Sequence, residues 1–331
     1  MPDTILSFVL SFGLGLVGLS VVLRTFAGFA AADPNERSNH KRPTPQIGGL
    51  ALVPLFVLGM IGFRLLGQPV PVFSDWAFLA AVSILFGTGI IDDRRALGPF
   101  PKLFAQFVAA ALAVLALSEA LAAAPLPYAF ATLAAFVILV AISNLANFLD
   151  GLDLMAVATV GLPSLFFGIL AATGAIGMAF GPAGAILAGL FLAFVVFNRP
   201  PAKAFLGDSG SLPLGLVLGA MTVIVACQVG PFAALLLPAY MLCDGLVTIA
   251  RRTLGGENIL KAHSAHVYQR AYRAGRPVLT VIAATTFLGT ISGLLLLATA
   301  QSSTVVQALA ALAVFLLWWL VSAWLMRVPS R

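Results

Sequence analysis

The stretch YAFATLAAFVILVAISNLANFLDGLD, residues 128–153, decides the class of fold to which this chain belongs. Its first part, residues 128–143, carries no charged side chain and predicts an α-helix that crosses the hydrocarbon core of a bilayer. Its second part places four polar side chains three residues apart: Asn144, Asn147, Asp150 and Asp153. An apolar helix followed by amides and carboxylates predicts a membrane span whose end carries chemistry.

The amino-acid composition also favours a membrane protein. Of the 331 residues, 61% are hydrophobic and 9% are charged, whereas about 25% of the residues in a soluble domain are charged. So few charges cannot cover a water-soluble globule of this length, while lipid accepts apolar surface. We therefore predict a single all-α, polytopic membrane domain over residues 1–331 with about eleven transmembrane helices, ten being the alternative count. The predicted spans are residues 5–27, 47–66, 76–91, 103–122, 128–143, 154–173, 183–198, 211–228, 231–250, 278–300 and 306–326.

The basic residues predict the orientation of these spans. Seventeen of the eighteen Lys and Arg residues lie in alternate connections or at their helix ends, and only Arg64 lies on the other side. The positive-inside rule then predicts a periplasmic N-terminus and a cytoplasmic C-terminus. The main cytoplasmic connections are residues 28–46, 92–102, 144–153, 199–210 and 251–277. No basic block with interleaved aromatic residues occurs, so we do not expect the chain to bind nucleic acid.

The acidic residues predict a site on the cytoplasmic side. Nine of the twelve Asp and Glu residues lie there, although the orientation rule does not require it. Asp92 and Asp93 end an apolar helix and precede Arg94 and Arg95. The two carboxylates could serve a divalent cation or a proton transfer, and the arginines could instead make them a plain interfacial cap. Lys102, in the same connection, is predicted to bind substrate.

The polar series that follows residue 143 predicts a cleft. On an ideal helix the positions Asn144, Asn147, Asp150 and Asp153 drift over about 180°, so they line a cleft and not a single stripe. Gly151 can end the helix and let the last two carboxylates converge. The alternative is an ordinary Asn- and Asp-rich turn between two spans.

The segment KAFLGDSGS, residues 203–211, predicts a phosphate site at the start of a helix. Backbone N–H groups beside a helix N-terminus bind phosphate readily. Asp208 offers the oxygen ligand that Mg²⁺ takes, Lys203 can neutralise a phosphate and Phe205 can stack on a base. Alternatively, Asp208 or Ser209 is only the N-cap of the helix.

Two further basic segments are candidate substrate contacts. Arg251 and Arg252 precede His263 and His266, which share a face if the stretch between them is helical. Without a third ligand the histidines cannot close a zinc site, so we predict contacts to phosphate or sugar, a solvated basic loop being the alternative. His40 lies in the cationic entry to the second span, which either clamps an anionic lipid head group or anchors the helix electrostatically.

Taken together, these segments resemble the polyprenyl-phosphate N-acetylhexosamine-1-phosphate transferases from His40 to about Gln269. The resemblance rests on five ordered motifs: PTPQIGG at 43–49, Asp92-Asp93, the Asn144 to Asp153 series, FLGDSGS at 205–211, and the His263/His266 loop. It implies transfer of a sugar 1-phosphate from a UDP-N-acetylhexosamine to undecaprenyl or another polyprenyl phosphate, with release of UMP. It also implies a bacterial inner-membrane enzyme that requires Mg²⁺, for which Mn²⁺ can substitute.

The resemblance further implies residue roles. Asp208 is similar to the Mg²⁺ ligand, Phe205 to the uracil-stacking residue and Asp153 to a nucleotide contact. Asp92 resembles the base that acts on the lipid phosphate, and Asp93 and Asp150 join it as catalytic candidates. The remaining candidates form the substrate-binding set: Asn144, Asn147, Lys203, His263, His266, Arg251, Arg252, His40 and Lys102.

Within the family, residues 262–269 resemble the enzymes that start O-antigen or other surface polysaccharides. The denser histidine cluster of the phospho-N-acetylmuramoyl-pentapeptide transferases is missing, so that activity is the alternative. A cation-coupled transporter is the alternative from another class, although it predicts carboxylates near mid-span and repeated halves. The sequence leaves the sugar and the oligomeric state open, a homodimer included.

Overall fold

The fold is that of a computed structural model, which describes residues 2–26, 28–29, 31–32, 44–257 and 265–327. Two of the predicted site residues, His40 and His263, lie outside the described residues. The elements follow in this order: α1 (Pro2–Thr25), β1 (Ala31–Ala32), β2 (Thr44–Pro45), α2 (Gly48–Leu65), α3 (Trp76–Arg94), α4 (Pro99–Ala116), α5 (Ser118–Ala122), α6 (Tyr128–Leu149), a π-helix (Val157–Gly161), α7 (Leu162–Ala172), a 3₁₀ turn (Met178–Phe180), α8 (Gly181–Asn198), α9 (Asp208–Gln228), α10 (Pro231–Leu236), α11 (Ala239–Leu254), α12 (Val267–Arg273), α13 (Val278–Thr299) and α14 (Thr304–Met326).

The helices confirm the predicted all-α polytopic membrane fold. Within the described ranges, nine helices are long and apolar enough to cross a bilayer. The sixth predicted span is shorter than expected, because its helical part runs only from Val157 to Ala172. Between α1 and α2, strands β1 and β2 form a short antiparallel pair.

The ninth predicted span, residues 231–250, is wrong as a single helix. The chain forms the short helix α10, breaks at Leu237 and Pro238, and resumes as α11, which continues to Leu254. Proline lacks a backbone N–H group and its ring clashes with the preceding turn, so it interrupts the helix. The break allows α11 to pack along α6 independently of α10, and Gly245 contacts the side chain of Leu145.

Helix α9 lies at the centre of the bundle. In the most apolar 18-residue stretch of α9, 89% of the residues are buried, against 22% in the corresponding stretches of α1 and α14. Helix α9 is therefore surrounded by protein, whereas α1 and α14 lie at the periphery of the bundle. It packs mainly against α6 and α3. The start of α9, beginning at Asp208, is therefore placed between the ends of several other helices.

Close backbone contacts hold the start of α9 against α2 and α3. A Cβ atom on Gly49 of α2 would overlap the backbone of Ser209 and Gly210, and one on Gly89 of α3 would overlap the backbone of Asp208 and Ser209. Only glycine permits helices to approach this closely. These two glycines thus fix the depth at which α9 begins.

A short backbone pairing adds the segment before α2 to this contact. The carbonyl oxygen of Phe205 accepts hydrogen bonds from the N–H groups of Ile47 (3.1 Å) and Gly48 (2.8 Å). In return, the N–H group of Phe205 donates to the carbonyl of Pro45 at 2.9 Å. The motif at 43–49 is therefore joined through its described part, residues 44–49, to the loop that leads into α9.

Several predicted connections prove to be helix ends. Asp92 and Asp93 belong to the last turn of α3, Lys102 to the first turn of α4, and Asn144 and Asn147 to the last turns of α6. The helices continue beyond the apolar runs because their polar ends find partners inside the protein, as described below. The boundaries 92–102, 144–153 and 199–210 for loops are accordingly too wide.

Two glycines on α3 give a matched test of this packing. Gly87 has open space around its missing side chain, whereas Gly89 has none. We predict that Gly87→Ala stabilises the protein by up to about 1 kcal/mol, since alanine favours the helix. Gly89→Ala should instead destabilise it by about 1–3 kcal/mol through overpacking.

Thermal unfolding of both variants in the same detergent measures the two effects. Equal shifts in the unfolding temperature for Gly87→Ala and Gly89→Ala would contradict the close contact between α3 and the start of α9.

Candidate active site

Ends of four helices meet at one end of the bundle and bring together most of the predicted catalytic residues. The ends are the last turn of α3, the first turn of α4, the last turns of α6 and the first turn of α9. Alternating helix directions place these four ends on the same side, as the charge count predicted. The charged and amide side chains there face one another and not the surrounding lipid.

An ammonium group joins the first two carboxylates. The Nζ atom of Lys102 lies 3.2 Å from Oδ2 of Asp92 and 3.0 Å from Oδ2 of Asp208. The three side chains are partly accessible, with exposed fractions of 24%, 14% and 22% respectively. Oδ1 of Asp92 also accepts the N–H group of Leu97 at 2.7 Å, so this carboxylate is held from both sides. Two acidic residues 116 positions apart in number thus share one cation.

The neighbouring carboxylate, Asp93, has a different contact. Its Oδ1 accepts the N–H group of Asp208 at 2.8 Å, and its Oδ2 accepts the N–H group of Ser209 at 3.0 Å. The first N–H groups of a helix have no partner within the helix, and a carboxylate there also interacts favourably with the helix dipole. Gly207, with φ of +73°, occupies the N-cap position itself. The alternative that Asp208 or Ser209 is the N-cap is therefore wrong, since Asp93 supplies the capping oxygens.

The end of α6 contacts the first turns of α9 through polar groups. Nδ2 of Asn147 donates to Oγ of Ser211 at 3.0 Å, and Oγ of Ser143 donates to the carbonyl of Leu212 at 2.9 Å. Asn144 receives a long hydrogen bond of 3.5 Å from Nε2 of Gln106. The first two amides of the series thus lie on a helix and are engaged by hydrogen bonds, and the cleft that the series is expected to line stays a prediction.

The last two carboxylates of the series follow the end of α6 at Leu149. Asp150 lies at the C-cap of α6, and Asp153 is buried with Oδ2 accepting the N–H group of Ala202 at 3.2 Å. Asn198 strengthens this crossing, because its Oδ1 accepts from the N–H group of Leu154 at 2.6 Å. The loop after α6 and the loop before α9 are thus joined by side-chain bridges.

Asp150 lies just beyond the end of α6, and its surroundings shift its pKa. Burial raises its pKa well above the ordinary value. The negative charges of Asp208, Asp93 and Asp153 raise it further. The same influences place Asp150 within the electrostatic reach of the other carboxylates, so five acidic residues share this end of the bundle.

Lys203 and Phe205 lie on the loop that precedes α9. The Lys203 side chain is exposed, and its N–H group donates to the carbonyl of Phe197 at 2.7 Å. The Phe205 side chain is half-buried, and its backbone pairs with residues 45–48. Both residues are close in sequence to Asp208, and their roles toward a nucleotide remain predictions.

The last turn of α11 and the segment from Ala265 onward form a second cluster, so the predicted connection 251–277 begins within a helix and also contains α12. Nη2 of Arg251 donates to the carbonyl of Ala265 at 2.7 Å, and Nε of the buried Arg252 pairs with Oε2 of Glu257 at 2.8 Å. His266 is buried and its Nδ1 lies 3.3 Å from Oδ1 of Asp244. This part of the predicted basic loop is therefore ordered by internal contacts and is not simply solvated.

The second cluster reaches the first through an aromatic residue. The hydroxyl group of Tyr268 donates to the carbonyl of Phe148 at 2.9 Å, at the end of α6. A Cβ atom on Gly151 would overlap the same hydroxyl oxygen. The chain after residue 265 thus packs directly on the segment that carries Asn147 and Asp150.

The donor set suits a magnesium ion that a phosphate substrate helps to bind. Among the residues that the structure describes, no group of three or more His, Cys, Asp or Glu side chains is arranged to hold a metal ion. Asp92 and Asp208 nevertheless direct carboxylate oxygens at a single cation, the ammonium group of Lys102. Mg²⁺ is commonly held by one or two carboxylates together with substrate phosphates and water. Of the two, Asp208 is the predicted ligand, and its position fits the ion.

Sequence reasoning missed several buried polar residues that shape the site. They are Gln106, Asn198, Ser211, Asp244 and Tyr268. Ser211 and Tyr268 stand inside the quoted motifs and the others outside them, but no spacing in the sequence joins any of the five to its partner. For Gln106, Asn198 and Ser211 the available signal was their polarity within membrane-length helices, because a polar group there needs a partner.

The chain matches a known family over the centre of this site. The sequence model of the family described as "Glycosyl transferase family 4" matches residues 76–226. The matched range runs from the start of α3 into the last turn of α9 and includes Asp92, Asp93 and Asp208. The fold and the four converging helix ends thus define a polytopic membrane transferase.

Curated relatives extend the match over most of the chain. Decaprenyl-phosphate N-acetylglucosaminephosphotransferase of Mycobacterium tuberculosis is 30% identical over 312 residues, which cover 79% of this chain and 76% of that protein. The protein of the same name from Mycolicibacterium smegmatis is 30% identical over 315 residues, with the same coverage. Phospho-N-acetylmuramoyl-pentapeptide-transferase of Trichormus variabilis is 33% identical over 219 residues, covering 58% of this chain and 56% of that protein. The chain belongs to glycosyl transferase family 4, which confirms the resemblance and the enzyme class over the transporter alternative.

The raised pKa of Asp150 predicts a pH-dependent stability. The folded state binds the proton more tightly than the unfolded state, so the stabilisation is present at low pH and is lost as the pH rises through the raised pKa. Asp150→Asn, which stays neutral, should therefore unfold at a higher temperature than the wild type in alkaline buffer. The advantage should shrink on acidification.

Unfolding temperatures of the wild type and Asp150→Asn across a pH series check this expectation. A difference that is constant with pH, or one that grows on acidification, would contradict it.

Proposed function

We propose that the chain transfers N-acetylhexosamine 1-phosphate from a UDP-sugar to undecaprenyl or another polyprenyl phosphate and releases UMP. Sugar-1-phosphate transfer to a polyprenyl phosphate is the reaction of the family. We further propose that the donor is a UDP-sugar, that the site faces the cytoplasm at a bacterial inner membrane and that the N-terminus is periplasmic. Seventeen of eighteen basic residues on one side of the predicted topology support that orientation.

The observation that carries the proposal is the shared ammonium group of Lys102 between Asp92 and Asp208. Transfer requires two anionic substrates, a lipid phosphate and a nucleotide pyrophosphate, to meet at the membrane surface. Their repulsion must be offset by positive charge. A place where carboxylates and a lysine already balance one another around one point can accept phosphate and a divalent cation with little rearrangement.

Asp208 would hold Mg²⁺, which supplies neutralising charge to the pyrophosphate when it is bound, and Asp92 would stay free of the ion. Mn²⁺ has similar oxygen ligands and can substitute. Lys102, released from its two carboxylates, would then be available to a phosphate oxygen. Because Asp93 binds the N–H groups at the start of α9, it would keep Asp208 in place and need not contact substrate.

Asp92 would act as the base. It would take the proton from the phosphate of the lipid acceptor, and an oxygen of that phosphate would attack the phosphorus atom that carries the sugar. The new P–O bond forms as the bond to the α-phosphate of the nucleotide breaks, and UMP leaves with the electron pair. Correct placement of both substrates supplies most of the acceleration in such reactions.

The donor would lie toward the end of α6 and the loop before α9. Asn144, Asn147 and Asp150 line that side, and Asp153 and Phe205 flank it as candidates for the nucleotide. The remaining basic candidates would meet phosphate or sugar from the loops: Lys203, Arg251, Arg252, His266, His263 and His40. The last two lie outside the described residues.

We propose N-acetylglucosamine as the first sugar to test. It is the sugar named for the relatives that match 79% of the chain, whereas the pentapeptide transferases match a shorter part. The product would be a polyprenyl-diphosphate-linked sugar that begins a surface polysaccharide, with the muramoyl-pentapeptide reaction as the alternative. A homodimer is a further possibility that gel filtration with light scattering would test.

Asp208→Asn tests the assignment of the metal ligand. This change removes the charge while keeping the shape of the side chain, so we expect UMP release to fall by about a hundredfold or more. Asp75→Asn is the matched control, because Asp75 caps the opposite end of α3 by accepting the N–H group of Ala77 at 2.8 Å. That variant should retain activity.

The assay uses purified enzyme with Mg²⁺, polyprenyl phosphate and a panel of UDP-sugars, with UMP release as the readout. Retained activity in Asp208→Asn at normal protein level would contradict the metal role. Absence of UMP release by the wild type with every donor would contradict the proposed function.

A further inference from the structure

A second buried carboxylate, Asp244, lies outside the group formed by Asp92, Asp93 and Asp208. It is on α11, the helix that resumes after the break at Pro238, and its side chain is fully buried. Burial of a carboxylate within a membrane protein is costly unless donors surround it. The donors that contact Asp244 therefore indicate its role.

Four donors reach Asp244, and they come from two parts of the chain. Within α11, the hydroxyl of Thr248 donates to Oδ1 at 3.1 Å and that of Tyr240 donates to Oδ2 at 3.4 Å. From beyond the end of α11, Nδ1 of His266 lies 3.3 Å and the N–H group of Val267 lies 3.0 Å from Oδ1. Asp244 thus holds the point at which the chain returns to the bundle.

The contact also selects the protonation state of the imidazole nitrogens. An ionised carboxylate has only acceptor atoms, so the nitrogen that faces it must carry the hydrogen. In a neutral His266 ring, Nδ1 is then protonated and Nε2 has the lone pair. A carboxylate that orients a histidine in this way commonly serves a second group that uses the other nitrogen.

His266 in turn packs against the end of α6. Its ring lies 6.0 Å from the ring of Tyr268 in a stacked arrangement and 6.2 Å from the ring of Phe148, centroid to centroid. Tyr268 completes the contact through its hydrogen bond to the carbonyl of Phe148. Phe148 directly follows Asn147 on the wall that we assign to the donor. An uninterrupted series of contacts therefore leads from Asp244 to that wall.

We propose that Asp244 is a positioning residue for the donor side of the cleft: it fixes His266 in one tautomer and one orientation against the end of α6. The inference rests on the proposed function, in which this side receives the UDP-sugar. Asp244 contacts no substrate and acts through His266. Asp244 thus contributes to binding of the UDP-sugar, whereas Asp92 acts on the lipid phosphate.

Kinetics of Asp244→Asn, His266→Ala and the double variant test this role. We expect Asp244→Asn to raise the KM for the UDP-sugar by about tenfold and to leave the KM for polyprenyl phosphate within about twofold. In the His266→Ala background, Asp244→Asn should change the donor KM by less than about twofold, since its route of action is gone. Asp3→Asn, on the exposed first turn of α1, is the matched control and should match the wild type.

Two kinetic results would overturn the proposal. The first is that the effects of Asp244→Asn and His266→Ala multiply. The second is that Asp244→Asn raises both KM values equally while lowering the unfolding temperature, as a purely structural residue would.

Nitrogen-15 NMR of labelled histidine gives a readout that does not depend on activity. The His266 signals, assigned by their loss in His266→Ala, should show a protonated Nδ1 in the wild type and a mixture of tautomers in Asp244→Asn. Identical spectra would overturn the positioning role. If the wild type releases no UMP but the two spectra differ in this way, the proposed function is refuted and Asp244 is still the residue that orients His266.

Discussion

The capping of α9 by Asp93 is the interaction on which the rest of the site depends. Helix α9 begins at Asp208 among the ends of α3, α4 and α6, and because Ser209 is fully buried, the first N–H groups of the helix need partners within the protein. The carboxylate of Asp93 accepts two of them, and the glycines at positions 49 and 89 let the neighbouring helices come close enough for this contact. Without this arrangement, Asp208 would not be held beside α3 and α4.

Once α9 is fixed, the remaining charges can balance one another. Lys102 offsets Asp92 and Asp208, while Asp150 escapes the repulsion through its raised pKa. This concentration of carboxylates is unfavourable for stability but suits the reaction that we propose, in which phosphates and a divalent cation would meet here. The cation would take the place of the ammonium group of Lys102, and the membrane location would bring the lipid acceptor to the same surface.

The sequence predicted the class of fold well, because long apolar runs report membrane helices directly. It did not predict the break at Pro238, and it ended the span at residue 143 although α6 continues to Leu149, since apolar character alone does not show where a helix ends. The charge count correctly grouped Asp92 and Asp208 at one end of the bundle. It could not separate the roles of Asp92 and Asp93, since adjacent residues on a helix point about 100° apart, and only the neighbouring helices decide what each one meets. The role of Asp244 could not be predicted for a related reason, because two of its partners lie 22 and 23 residues away in the sequence.

Hydrogen–deuterium exchange at the start of α9 tests the central claim most directly. Asp93→Ala removes the acceptor of the N–H groups of Asp208 and Ser209, whereas Asp92→Ala, one residue earlier, removes a partner of Lys102 and of the Leu97 N–H group and leaves the start of α9 capped. The account predicts that exchange in a peptide covering residues 207–211 accelerates strongly in Asp93→Ala and stays near the wild-type rate in Asp92→Ala. Equal exchange rates in the two variants would contradict it.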